Sequence, residues 1–227
     1  MSINDWYVLM QAIINKNQQG YLPPVKFNLY INQGSRSYQS FLLGSLQTYT
    51  PGRPVSKVEL GQNRTVRQRL APTIYGYNLA INPYGNSPYP GDFLQVDAMW
   101  SIYGASIYSH KRIRYAEQNA LDAYYNSVID PIASNPIYLL EDTFFQFYPE
   151  NQYTARLHYV RDVPEMLWAY TADSNGRPVY DAANSVQPVW DTVAMYDVLC
   201  RALSLVGISL QISQVVAYSQ EIKSNGQ

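Results

Sequence analysis

Prolines and glycines crowd into one part of the chain, and their distribution constrains the fold more than any other feature of the sequence. Between residues 47 and 92 they include Pro51, Gly52, Pro54, Gly61, Pro72, Pro83, Gly85, Pro88, Pro90 and Gly91. Proline removes a backbone donor and glycine costs backbone entropy, so no long helix is predicted here. A short strand is predicted instead, on the pattern of Ile74, Tyr75, Tyr77, Leu79 and Ile81.

Both ends of the chain have helical periodicity. Residues 2–19 are predicted to form a helix that begins with a capping box of Ser2 and Asp5 and ends at Gly20. A second helix is predicted to begin at Pro23-Pro24 and to form an antiparallel hairpin with the first. At the other end, helices are predicted over 190–206, ending at Gly207, and over 212–223.

The middle of the chain reads mainly as strands. Alternation predicts strands over 93–103 and 106–113 with Gly104 at the turn, whereas 116–128 is a helix candidate. Residues 137–148 and 153–160 are predicted to form a hairpin, and an Asn175-Gly176 turn predicts a shorter one. The predicted class is α+β: residues 1–46 and 188–227 form one helical bundle, and 47–187 form an antiparallel β-rich region with extended Pro/Gly loops.

The polar residues are mostly uncharged. The sequence has 16 Asn and 17 Gln, as many as its 16 Lys and Arg plus 17 Asp and Glu, and 22 Tyr. Tyrosine supplies contact area at low entropic cost and keeps a polar tip, so this composition suits broad contact surfaces. A hydrophobic fraction of 47% argues against disorder, and no apolar run is long enough to span a bilayer.

The charges are sorted along the chain. Residues 1–116 contain 11 basic and 4 acidic residues, a net charge of +7, and residues 117–227 contain 5 and 13, a net charge of −8. The candidate interface residues are Arg53, Lys57, Arg64, Arg67, Arg69, Lys111, Arg112 and Arg114. The cluster at 53–69 could meet DNA phosphates or an acidic protein surface, or it could be a solvated face.

No catalytic, cofactor or metal site is predicted. Phosphate loops, nucleophile elbows and zinc-protease helices are absent from the sequence. Cys200 is the only cysteine and lies in an apolar helical pattern, where a buried inert thiol is expected. Glu141 and Asp142 are adjacent on a predicted strand and would point to opposite faces. The first ten residues lack the pattern of a signal peptide, so an intracellular protein is expected.

One stretch resembles a strand hairpin of small neck proteins of tailed bacteriophages. It runs Asn-Pro-Ile-Tyr-Leu-Leu-Glu-Asp-Thr-Phe-Phe-Gln-Phe-Tyr-Pro-Glu over 135–150, followed by Leu157-His158-Tyr159-Val160-Arg161 and Val163-Pro164. With helical segments over 4–46 and 190–223, the whole chain resembles head-to-tail ring or adaptor proteins of crAss-like phages.

The resemblance implies a virion protein of the neck or tail, assembled in the host cytoplasm as a homo-oligomeric ring of twelve subunits. Its partners would be the portal, other neck or tail proteins and non-specifically bound DNA in the lumen, with no membrane. Positions next to the portal and further down the tail both stay open. In such a ring the candidate basic residues would lie at a subunit interface or line the lumen. For the cluster at 53–69 we favour acids of the adjacent subunit, because strong phosphate binding would hinder DNA that must slide.

Two other functional hypotheses stay open beside a ring protein. The many tyrosines would suit a carbohydrate- or receptor-binding module of a phage tail, which predicts exposed aromatics gathered in one shallow groove. An unrecognised enzyme would use His158 with Glu150 or Asp162. A two-histidine metal site with His110 and His158 is possible on paper, but ordinary packing or surface positions are expected for both.

Overall fold

The structure, a computed structural model, describes residues 1–16, 20–44, 57–102, 111–121, 124, 131–132, 135–150 and 154–209. Within them the chain forms four α-helices and ten β-strands. The strands are paired antiparallel except at one parallel pair, so the predicted α+β class is confirmed. The predicted helices at 116–128 and 212–223, and the turn at Gly104, lie partly or wholly outside the described residues.

The helices are α1 (Ile3–Lys16), α2 (Pro24–Gly44), α3 (Lys57–Leu70) and α4 (Thr192–Ser209). The predicted capping box forms at the start of α1. The Ser2 backbone N–H donates to Asp5 Oδ2 at 2.7 Å, and the Asp5 N–H donates to Ser2 Oγ at 3.3 Å. Each side chain thereby satisfies a backbone donor that the first helical turn leaves without a partner. Pro24 opens α2 as predicted.

The presence of α3 corrects the prediction that residues 47–92 contain no long helix. The helix begins after Pro54 and ends before Pro72, and Gly61 is the only helix breaker inside it. A single internal glycine costs a helix only about 1 kcal/mol relative to alanine. The breakers therefore bound a helix here rather than prevent it.

The strands are β1 (Ile74–Ala80), β2 (Asn86–Pro88), β3 (Phe93–Ser101), β4 (Lys111–Arg112), β5 (Arg114–Tyr115), β6 (Ile137–Leu140), β7 (Phe144–Tyr148), β8 (Thr154–Arg161), β9 (Tyr170–Ala172) and β10 (Pro178–Tyr180). They form one sheet in the order β1-β8-β3-β4, a second in the order β2-β7-β6-β5, and the hairpin β9-β10. The hairpin turns at Gly176, with φ of 73°, so the predicted Asn-Gly turn is confirmed.

The chain divides into two compact units. The helical unit comprises Met1–Pro72 with Val163–Gln227, and the β unit comprises Thr73–Asp162. The sequence placed the corresponding boundaries after residues 46 and 187. The compact units differ because α3 packs against α2, and because backbone groups beyond residue 162 bind side chains of α2.

The β unit is a two-sheet sandwich with an aromatic core. Alternate residues of β7 and β8 are buried, as expected when one face of each strand lies inward. The core residues from the two sheets and their connections are Leu79, Ile81, Met99, Ile113, Tyr138, Phe145, Phe147, Ala155, Leu157 and Tyr159. Phe93 packs its ring edge against Phe145 of the second sheet at a centroid distance of 5.4 Å.

The predicted hairpin between 137–148 and 153–160 is wrong in its pairing. The first stretch is itself a hairpin of β6 and β7, which turns at Glu141–Thr143. β8 pairs instead with β1 and β3 in the other sheet. The buried faces of β7 and β8 therefore contribute to the core from different sheets, which sequence alternation alone cannot distinguish from neighbouring strands.

The helical unit depends on a close approach of α2 and α4. At Gly34 an added Cβ would lie 2.7 Å from the Val198 carbonyl oxygen and 3.1 Å from the Ala202 nitrogen. Next to this contact, the indole of Trp190 donates a hydrogen bond from Nε1 to Ser35 Oγ at 2.7 Å. α2 packs mainly against α4, whereas the predicted α1–α2 hairpin is represented by an edge-on contact of Tyr7 with Phe27.

The predicted stop of the C-terminal helix at Gly207 is also wrong. α4 continues to Ser209, and Gly207 is buried within it. Glycine at the end of a helix acts as a stop when it adopts positive φ, and no such conformation occurs at this residue.

Two asparagines on α2 hold an extended segment of the chain. Asn32 accepts from the Met166 N–H at 2.8 Å and donates to the Met166 carbonyl at 2.9 Å. Asn28, one turn earlier, accepts from the Trp168 N–H at 2.8 Å and donates to its carbonyl at 3.2 Å. Leu167, between them, pairs its backbone with Val186 on its other side. The two amides thus substitute for a neighbouring β-strand, and we call this arrangement the amide ladder.

We predict that Gly34→Ala destabilises the protein by about 1–3 kcal/mol, because the new methyl group overlaps backbone that cannot move without separating α2 from α4. Chemical denaturation measures the free energy of unfolding. Gly44→Ala is the matched control on the same helix, since an added Cβ there has nothing within 4 Å. The control should leave stability unchanged or raise it by up to about 1 kcal/mol. Equal effects of the two substitutions would contradict the close approach.

We predict that Asn32→Ala lowers the free energy of unfolding by about 1–3 kcal/mol, because it leaves the N–H and C=O of buried Met166 without partners. Gln33→Ala removes the amide of the exposed neighbouring residue and should change stability by less than about 0.5 kcal/mol. Thermal and chemical unfolding of both variants test the ladder, and a neutral Asn32→Ala would refute it.

Candidate functional site: two charged ends of the β unit

Basic and acidic residues of the β unit lie at opposite ends of its strands. β3 and β8 run antiparallel, with Phe93 opposite Arg161 at one end and Ser101 opposite Ala155 at the other. Nine residues of β3 separate these ends by about 27 Å. Basic residues gather at the Ser101 end and acidic residues at the Phe93 end, as the next paragraphs describe.

The basic end is formed by four exposed residues: Lys111, Arg112, Arg114 and Arg156. Lys111 and Arg112 form β4 beside the last residues of β3, and Arg114 begins β5 opposite Ile137. Glu150 follows the end of β7 on the same side, because Tyr148 pairs with Ile137. The cations therefore outnumber the carboxylates of the described residues here, and the surface is positive.

Trp100 lies in the middle of this basic end. It is directly opposite Arg156 on β8 and Arg112 on β4. Side chains of directly opposed residues project from the same face of a sheet, so the indole lies between two guanidinium-bearing side chains. Trp100 remains 36% exposed on this outer face. Tryptophan and arginine are the residues most enriched at the energetic centres of protein interfaces.

The arginines and lysine of the basic end have few partners of their own. Arg156 donates to Asn78 Oδ1 at 3.3 Å on β1. Among the residues that the structure describes, the side chains of Lys111, Arg112 and Arg114 form no hydrogen bond or ion pair. Cations that have no partner within the described part of the β unit can bind carboxylates of another molecule.

A cavity of about 570 Å³ opens beside the basic end. It lies between β3 and the chain from β4 to β5, and its lining includes Asp97, Arg112, Arg114, Tyr115 and Tyr138. The rings of Tyr115 and Tyr138 are 5.7 Å apart. Burial, followed by the nearby Tyr115, raises the pKa of Tyr138 to about 12, so its phenol stays neutral at physiological pH.

The acidic end lies at the start of β3. Its carboxylates are those of Asp92, Glu117, Glu141, Asp142 and Asp162, with Arg161 as the accompanying cation. Tyr89 joins the two sheets here: its ring stacks on Phe93 at 4.7 Å, and its hydroxyl donates to the Glu141 carbonyl at 2.6 Å.

Asp92 at the acidic end is held in place by the core. The hydroxyl of Tyr159 donates to Asp92 Oδ1 at 2.7 Å. Burial and this hydrogen bond to Asp92 raise the pKa of Tyr159 to about 12. The Asp162 N–H donates to the Asp92 carbonyl at 2.8 Å, which fixes the two acidic residues next to each other. The acidic surface is therefore attached to the rigid sandwich.

The structure separates the predicted basic residues into two groups. Arg64, Arg67 and Arg69 lie on α3 in the helical unit, where Arg64 and Arg67 are exposed and Arg69 approaches Asp197 at 3.7 Å. Lys57 is the first residue of α3, and Arg53 lies outside the described residues. Lys111, Arg112 and Arg114 come together in the β unit, as described above.

Sequence reasoning missed Trp100, Arg156 and the acidic end. Arg156 is 44 residues from Arg112 in sequence, and the pairing of β8 with β3 is what aligns both with Trp100. Alternation placed these residues on strands but gave no register between the strands. The residue types were visible in the sequence, but the strand pairing that brings them together was not.

The described residues do not assemble recognisable catalytic or metal chemistry. No group of three or more His, Cys, Asp or Glu side chains that could hold a metal ion occurs among them. Cys200 is buried on α4, as predicted. His158 lies mid-strand on β8, and four extended residues, about 13 Å, separate it from Asp162, beyond hydrogen-bond reach. The expectation that the protein is not an enzyme stays a prediction.

Exposed tyrosines are found on several elements. The described tyrosines more than 40% exposed are Tyr21, Tyr75, Tyr77, Tyr84, Tyr115, Tyr170 and Tyr196. Of these, Tyr75 and Tyr77 share one face of β1. The sugar-binding hypothesis required a shallow groove with gathered aromatics, and it stays a prediction.

Comparisons with models of known protein families and with curated protein sequences found no match. In the described parts of the chain, no helix combines the length and the apolar composition needed to cross a membrane.

We predict that Tyr138→Phe reduces the loss of stability at alkaline pH. An unfolded tyrosine has a pKa of about 10, whereas burial raises that of Tyr138 to about 12. Stability from the neutral phenol is complete below pH 10 and is lost as pH rises toward 12, because the unfolded state releases the proton first. The fall in unfolding free energy from pH 8 to pH 11 should be smaller by about 1 kcal/mol in the variant.

Urea denaturation at the two pH values measures this difference. Tyr84→Phe is the matched control, because Tyr84 is 76% exposed. An unchanged alkaline loss in Tyr138→Phe would show that the phenol ionises as readily in the folded state as in the unfolded one.

Proposed function

We propose that this protein is a non-enzymatic virion structural protein that forms an oligomeric ring in the neck or tail of a tailed phage. The ring would connect the portal to the tail and surround the DNA channel. The resemblance of the sequence to head-to-tail ring and adaptor proteins of crAss-like phages motivates the proposal, and the geometry of the β unit supports it.

The single observation that carries the proposal is the opposite charge of the two ends of the β unit. A closed ring is built from heterologous contacts, in which one face of each subunit meets a different face of the next. A surface for such a contact must be complementary to another surface of the same chain. Lys111, Arg112 and Arg114 at one end, and Glu141 and Asp142 at the other, provide that complementarity.

The composition supports the same function. Tyrosine, asparagine and glutamine provide wide contacts that remain hydrated before assembly. A large apolar patch would favour uncontrolled association of free subunits, and the exposed apolar residues of the described chain are spread over many elements. Both properties suit a subunit that is made free and assembles later in the host cytoplasm.

Two exposed arginines on α3 could contact DNA that passes through the ring. Arg64 and Arg67 are exposed on that helix and belong to the helical unit. Acids of an adjacent subunit are the favoured partners of the cluster at 53–69, and non-specific contact with DNA in the lumen is the secondary role of these two arginines. A small number of exposed arginines gives weak, salt-sensitive phosphate binding, which is compatible with DNA that must slide.

We predict that the purified protein forms one closed oligomer, expected to contain twelve copies, rather than an open-ended series. Native mass spectrometry over a range of concentrations measures the copy number. The oligomer should dissociate between 0.1 and 1 M salt, because the screening length falls from about 10 to 3 Å. Immuno-electron microscopy of the phage that encodes the chain should place it in the neck or tail. A protein that stays monomeric at high concentration and is absent from particles would refute the proposal.

A further inference from the structure

We infer that the basic end of the β unit binds the acidic end of the β unit in a second copy of this chain. The inference rests on the proposed function and deepens it, because it names the two surfaces that meet in the ring. The contact is heterologous: Arg112 and Arg114 of one copy face Glu141 and Asp142 of the next.

The basic end has the composition of an interface centre. Trp100, 36% exposed, stands between Arg112 and Arg156 on the outer face of its sheet. Such an indole provides a desolvated contact, while the flanking guanidinium groups can each bind a carboxylate with two parallel hydrogen bonds. The cations on β4 and β5 form no ion pair with the described residues, so binding a neighbour breaks no ion pair within that part of the chain.

The acidic end provides the matching chemistry. Asp142 is exposed and Glu141 is half-buried in the turn between β6 and β7. Tyr89 ties this turn to the start of β3 by donating two hydrogen bonds to the turn: its N–H donates to the Thr143 carbonyl and its hydroxyl to the Glu141 carbonyl. The carboxylates are therefore presented on a braced turn, which lowers the entropy lost on binding.

Charge complementarity favours a second copy over DNA as the occupant. Both signs are present at opposite ends of the same sandwich, about 27 Å apart along β3. A DNA-binding role would use the cations and leave the opposing acidic surface without a purpose. A head-to-tail contact uses both surfaces, and its repetition generates a ring when the rotation between copies closes.

The test is a charge exchange between two variants. Arg112→Glu with Arg114→Glu makes both ends of the β unit acidic, and Glu141→Lys with Asp142→Lys makes both ends basic. Each variant alone should associate at least about 100-fold more weakly than the wild type, because like charges then face each other. An equimolar mixture should regain assembly, with the two variants alternating around the oligomer.

Lys26→Glu with Arg177→Glu is the matched control. It makes the same change in net charge at exposed positions of the helical unit, and it should assemble as the wild type does. Circular dichroism and native mass spectrometry report folding and copy number for every protein. Failure of the mixture to assemble, with both variants folded, would overturn the inference.

A second measurement covers variants that fail to fold. Arg112→Cys and Asp142→Cys, mixed under mild oxidation, should yield a disulfide-linked heterodimer, whereas either variant alone should yield little. The native Cys200 is buried and does not compete. Absence of the heterodimer in a sample that still assembles would overturn the inference.

The outcomes separate this contact from the ring itself. A wild-type protein that is always monomeric overturns both proposals. Charge-reversed variants that assemble as the wild type does overturn the contact and leave the ring standing. Unimpaired assembly with loss of binding to a short DNA duplex in Arg112→Glu with Arg114→Glu assigns the basic end to DNA and overturns the contact.

Discussion

The antiparallel pairing of β3 with β8 is the constraint on which the rest of the β unit depends. These two long strands lie in the centre of their sheet, with β1 and β4 added at the edges. Their register places Met99 beside Leu157 on the core face, and Trp100 beside Arg156 on the outer face. One pairing thus fixes both the hydrophobic core and the surface at which charged side chains gather. A shift by one residue would exchange the two faces and remove both.

Local chemistry was sufficient to predict some elements of this fold. The capping box of Ser2 and Asp5, the prolines before α2 and the turn at Asn175-Gly176 each act within a few residues, and each is present. The errors have the opposite character. α3 was missed because breakers outside it were taken as breakers within it. The partner of β8 was misassigned because strand pairing across more than 50 residues leaves no local signal, as the register of Trp100 and Arg156 shows. The site was accessible only in part: the cations of β4 and β5 are adjacent in sequence, whereas their acidic counterparts are brought together by topology.

The amide ladder illustrates how a largely helical unit can hold an extended strand-like segment. The asparagine side chain carries an acceptor oxygen and a donor NH2 group on the same carbon, so one amide can bind both the N–H and the C=O of one residue. Two asparagines one turn apart can therefore satisfy alternate residues of an extended chain. Trp168 then stacks on Tyr7 at 4.3 Å and donates to Asn4 Oδ1 at 3.0 Å. The segment is consequently specified by polar contacts as well as by burial. Because each amide binds both groups of one residue, the ladder also fixes which residues of the segment face α2.

The discontinuity of the helical unit has a consequence for synthesis on the ribosome. Residues of the β unit are continuous in sequence, so this unit can complete its pairing while the end of the chain is still being made. The close contact of α2 with α4 at Gly34 cannot form until Val198 and Ala202 have been synthesised. At ordinary elongation rates this takes roughly 10 to 30 s longer. During that interval the face of α2 that will contact α4 has no partner from its own chain. The nascent protein is then most in need of chaperone protection at its first helices, although those are the segments whose local sequence specifies them best.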